Sequence, residues 1–118
     1  MSVDVQLVEV AGRARPSGED VAWVLADLAP ALAGVRVLSV RASSEVLCDG
    51  DFRWGLGGVV VELHVGDPAH AARVAATFGL DGPQEQQVGQ TVFWTWAGWM
   101  SEVGREFAIC LTVTVVVC

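Results

Sequence analysis

Lysine, asparagine and tyrosine are absent from this 118-residue chain, and isoleucine occurs once, at Ile109. These are the amino acids with AT-rich codons, so their shortage points to a very GC-rich genome such as that of an actinobacterium or its phage. It says nothing about function, and it removes physical meaning from the missing lysine. Charge is also scarce. The chain carries 14 acidic residues against seven basic ones, all of them arginine, for a net charge of −7. An acidic chain of this kind has nothing to replace the counterions condensed on a nucleic acid, so phosphate-directed binding to DNA or RNA is disfavoured. Its acids are scattered rather than clustered, which also argues against mimicry of a nucleic acid.

Other absences exclude further classes. No uninterrupted apolar stretch reaches the roughly 18–20 residues that a membrane-spanning helix needs. The N-terminal Met1-Ser-Val-Asp-Val-Gln6 lacks the basic start and apolar stretch of a signal peptide, so a cytoplasmic location is expected. The three cysteines, Cys48, Cys110 and Cys118, are odd in number and form no Cys-x-x-Cys pair, as expected of reduced, idle thiols. No cofactor is implied.

Apolar residues, by contrast, are in excess. They make up 53% of the chain, and with the 13 glycines about 64%, against roughly 45–50% for an average soluble domain. A single small domain hides such an excess only if both faces of its sheet are covered, by its own layers, by self-association or by a protein partner.

The pattern along the chain predicts a strand over 3–10, then a helix capped by Ser17 with Asp20 in its first turn. Val21, Val24, Leu25, Leu28 and Leu32 share one face of that helix, and Pro30 interrupts its last turn. A second extended segment runs from Val35 to about Leu47. Cys48–Asp51 is a turn and Phe52–Gly58 a glycine-rich connection. Residues 59–65 alternate as a strand with Val59, Val61, Leu63 and Val65 inward and Glu62 and His64 outward. Asp67 and Pro68 start a second helix with Ala71, Val74, Ala75 and Phe78 on its buried stripe, and Gly79 stops it. Asp81–Gln87 reads as a polar loop. Two β-type segments close the sequence, residues 91–99 and 107–118. The expected architecture is a single α+β domain of order βαββαββ. It is a two-layer sandwich with a ferredoxin-like core, an added C-terminal strand, a mainly antiparallel sheet and two helices on one face.

Catalytic groups are sparse. His64 and Glu62, with Asp49 and Asp51 from the turn, are the candidate ligands of a mixed His/carboxylate metal site. Gly55-Leu-Gly-Gly58 precedes a strand rather than opening a helix and has no following lysine, so it is not a phosphate loop. The aromatic segment is the stronger candidate. Trp94 and Trp96 share one strand face, Phe93 and Trp99 the other, and whichever face is turned from the helices displays large rings suited to an interface.

Residues 61–80, Val-Glu-Leu-His-Val-Gly-Asp-Pro-Ala-His-Ala-Ala-Arg-Val-Ala-Ala-Thr-Phe-Gly-Leu, followed by Trp96-Ala-Gly-Trp99, resemble short uncharacterised proteins of actinobacteria and their phages. The strand–Asp-Pro–helix–Gly-Leu pattern is also similar to the βαβββ module of the vicinal oxygen chelate (glyoxalase-like) superfamily. That family carries a metal-binding histidine near the start of the strand, whereas His64 stands near its end. The functional expectation is a non-catalytic, homo-oligomeric interaction or assembly protein, such as a phage or prophage accessory factor or an immunity-type binder. The alternative is a small-molecule-binding or metal-dependent enzyme of glyoxalase-like build.

Overall fold

The computed structural model describes residues 16–48, 55–100 and 107–117. The strand expected over 3–10 and the turn residues Asp49 and Asp51 lie outside them. Two helices pack on one face of a five-stranded sheet. Helix α1 spans Gly18–Leu28 and runs into a 3-10 turn at Ala29–Leu32; strand β1 spans Val37–Cys48 and β2 Gly55–Val65. Helix α2 spans Pro68–Thr77, and β3 (Asp81–Val88), β4 (Thr91–Met100) and β5 (Ala108–Val116) follow.

Both helices start as their sequences dictate. At α1 the Ser17 hydroxyl accepts the Asp20 N–H at 3.2 Å while the Asp20 carboxylate accepts the Ser17 N–H at 2.8 Å, a reciprocal capping box. Val24 and Leu28 are buried, and Val21, Leu25 and Leu32 pack partly against them. Pro30 cannot continue the α-helical ladder, and the chain tightens there into the 3-10 turn. At α2 the Asp67 carboxylate accepts the N–H groups of Ala69 at 2.8 Å and His70 at 3.4 Å. The helix ends with Leu80 N–H donating to Ala75 and Gly79 N–H to Ala76, Gly79 lying at φ +63°, which is the Schellman stop expected.

The two backbone N–H groups hold the Asp67 carboxyl below its ordinary value of 3.8. A carboxyl whose folded-state pKa lies below its unfolded value stabilises the fold above the unfolded value and loses that contribution as pH falls through the folded one. Asp67→Ala is therefore expected to lower the urea midpoint at pH 7. The gap to the native chain should narrow at pH 3; a gap that stays constant with pH would remove the charged cap from the account.

The sheet order is β1-β2-β5-β4-β3. β5 is central, parallel to β2 and antiparallel to β4, and the two outer pairs are antiparallel. Val59, Val61, Leu63 and Val65 of β2 and Ile109, Leu111, Val113 and Val115 of β5 point to the helices and are buried, with Ala71, Val74 and Ala75 of α2 across from them. This is the α+β two-layer sandwich expected, and its C-terminal strand lies in the middle of the sheet.

Two local expectations are corrected. Asp81–Gln87 is not a loop but most of β3. Every residue of this strand is exposed, and it is held by its ladder to β4. An edge strand with no buried face carries no apolar alternation, so nothing in its composition announces it. Gly55–Gly58 likewise does not connect strands; it is the first part of β2, in register with Cys48–Glu45 of β1.

Candidate interaction surface

The sheet has two unlike faces. Along β4, even-numbered side chains point to the helix side and odd-numbered ones away, because Trp96 pairs with Val113 and Trp94 with Val115, both inward. Trp96 is 6% exposed and belongs to the core. Trp94 packs beside it, ring centroids 6.3 Å apart and edge-on at 86°, and its indole N–H donates to the Glu85 carboxylate at 3.2 Å. The four candidate ring residues divide as alternation sets them, Trp94 and Trp96 on the helix side and Phe93 and Trp99 on the other, so only Phe93 and Trp99 belong to the face turned from the helices.

That other face carries no covering layer among the described residues. Trp99 is 63% exposed and Val116 52%. The ladders set its side chains in rows across the sheet. Val60, Cys110 and Trp99 form the first row, and Glu62, Thr112, Ala97 and Asp81 the second. His64, Thr114, Thr95 and Gln84 form the third; Val116, Phe93 and Gln86 form the fourth. On β4 and β5 the outer rows carry Trp99, Phe93 and Val116 and the middle rows only Thr and Ala, with the Thr95 and Thr114 hydroxyls 3.4 Å apart at the waist. On β3, β4 and β5 the one charge among the described residues of this face is Asp81, the edge-strand partner of Ala97. The other charged side chains lie on β1 and β2, where Arg41 and Glu62 stand 3.9 Å apart in solvent, a pair that adds little stability. Asp81, Gln84, Gln86 and Val88 of β3 and Val60 of β2 also belong to this face and were not singled out by sequence. The two glutamines belong to the strand that read as a loop, while Val60 sits in a run of three valines that obscures alternation.

The proposed metal ligands are only partly brought together. Glu62 and His64 project from the same face two residues apart, while Asp49 and Asp51 lie outside the described residues. Among the described residues no three His, Cys, Asp or Glu side chains converge. His70 is otherwise engaged, its Nδ1 accepting the Arg36 N–H at 3.1 Å and tying the start of α2 to the approach to β1. Burial pushes the Cys110 thiol up, the direction opposite to that of an activated nucleophile. Nor is the start of α2 an anion site, since the Asp67 carboxylate occupies its free N–H groups.

Neither a protein-family model nor a curated protein matches the chain.

Three exposed apolar side chains, Trp99, Val116 and Val88, a hydroxyl-lined waist and amide edges make a broad patch with one cation, Arg41, among the described strand residues. A concavity of about 240 Å³ lined by Arg41, Ser43, Glu45, Val60 and Glu62 opens at its β1–β2 side. No described helix is long and apolar enough to cross a membrane.

Proposed function

We propose that this chain is a non-catalytic protein-interaction or assembly protein whose working surface is the open face of its sheet. One observation carries the reading: Trp99, Val116 and Phe93 stand on a face that no described element covers, while on the opposite face the side chains of β2 and β5 are buried in the core. Large apolar groups held on rigid strands cost free energy in water, and they are recovered by burial against a protein surface. Aromatic side chains near the centre of such patches dominate binding energy. The apolar excess of the sequence has the same explanation, since the helices cover only one side.

A photo-crosslinking amino acid in place of Trp99, activated in the producing cell, tests this directly. A discrete polypeptide adduct is expected from position 99 and none from the exposed position 72 on α2. Absence of an adduct at 99 would overturn the reading. It would favour instead the small-molecule or metal-dependent alternative, which has in its support the βαβββ order from β2 to β5 and the shared face of Glu62 and His64.

A further inference from the structure

We propose that the occupant of the open face is a second copy of this chain, related by a two-fold axis that runs across the strands between the Ala97 row and the Thr95 row. The inference rests on the interaction role assigned to that face and specifies its partner.

Size, charge and register carry it. Five strands about 4.8 Å apart and four rows about 6.8 Å apart present roughly 650 Å² on each copy, and roughly 1,300 Å² over a pair falls within the 1,200–2,000 Å² of stable, specific interfaces. On a chain of net charge −7, the β3–β5 part of the face carries one charge among the described residues, Asp81, which this axis sets over Gln84 of the other copy, so like charges do not meet there. A basic partner would find its complement elsewhere, at the acids of α1, Glu19, Asp20 and Asp27.

Register selects the axis. A two-fold across the strands exchanges the first row with the fourth and the second with the third. Trp99 of one copy then lies over Phe93 of the other, Cys110 over Val116, and Glu62 over His64, each contact occurring twice. On β4 and β5 the bulky rows meet each other and the small Thr/Ala rows meet at the waist. The Glu62 carboxylate accepts from the His64 imidazole N–H, so the two polar groups desolvated there satisfy each other. An axis parallel to β5 would instead set Glu62 over Ala97 and His64 over Thr95, leaving the carboxylate without a donor. Stacked sheets are usually inclined by about 30°, which displaces contacts at the ends more than those beside the axis, where Glu62 and His64 lie.

Sedimentation and light scattering of the full chain test the proposal. A species of twice the 12.5 kDa chain mass is expected at micromolar concentration. Trp99→Glu and Val116→Glu, both at exposed positions that leave the core intact, should each weaken it at least tenfold, and Ala72→Glu on α2 should leave it unchanged. His64→Glu sets carboxylates against each other across the interface and should also weaken it at least tenfold. Adding Glu62→Lys to His64→Glu should restore it. Far-UV circular dichroism confirms that each variant is folded. A monomeric native chain, a dimer indifferent to Trp99→Glu, or a double variant no tighter than His64→Glu alone would overturn the proposal. A monomer that still crosslinks from position 99 to a different polypeptide would overturn self-pairing and leave the interaction role standing.

Discussion

Replacing Trp96 by alanine should destabilise the folded chain by about 3–5 kcal/mol, whereas Trp99→Ala should change the stability of the dissociated chain by no more than about 0.5 kcal/mol. The two tryptophans are three residues apart on one strand, and their types and neighbours in sequence are alike. What separates them is parity. Trp96 is 6% exposed, set against Val113 and edge-on to Trp94, so truncation removes a large ring from a packed layer and leaves a cavity. Trp99 is 63% exposed, and truncation removes a ring that the monomer does not use. Urea denaturation at dilute concentration measures both. At concentrations where copies associate, Trp99→Ala should lose the additional stability that association confers by mass action, and Trp96→Ala should retain it. Equal costs for the two variants in the dilute limit would place both rings in the core and remove the open face as an interaction surface.

That parity was partly legible in the sequence. Alternation alone assigns Trp94 and Trp96 to one face and Phe93 and Trp99 to the other. It cannot say which face the helices take, because both are apolar. The choice is made by β5, whose Ile109, Leu111, Val113 and Val115 align with the inward valines of β2 and carry their orientation across to β4. Both helices were legible in full, down to Ser17, Asp67 and Gly79, because caps and stops are local chemistry written in a few adjacent residues. β3 was not. Its side chains are solvated on both faces, and its existence depends on a partner strand that follows it in the chain. The completeness of the open face suffered with it, since Gln84 and Gln86 are on that face only once Asp81–Val88 is a strand. Strand order was equally beyond local signals. Nothing in residues 107–117 states that they separate β2 from β4.

That central position carries the largest effect of all. A chain ending at residue 106, without β5, is expected to lose cooperative folding altogether. β5 is hydrogen-bonded on both sides, to β2 and to β4, so its removal opens two ladders and separates β1–β2 from β4–β3. It also removes Ile109, Leu111, Val113 and Val115, four of the fourteen buried core residues among those described, from beneath α2. A small domain is stable by only about 5–15 kcal/mol, and losing even one buried Leu or Ile side chain costs about 2–5 kcal/mol, so the loss of four cannot be absorbed. The expected result is a far-UV spectrum without a sigmoidal urea transition, and added synthetic peptide of residues 107–118 should restore the transition by reinserting between β2 and β4. An edge strand would behave differently, because its removal leaves the remaining ladders closed. A truncated chain that still unfolds cooperatively would therefore contradict the strand order itself. The rows on which the open face depends would fall with it, since Trp99, Thr95 and Phe93 are aligned with Glu62 and His64 only through β5.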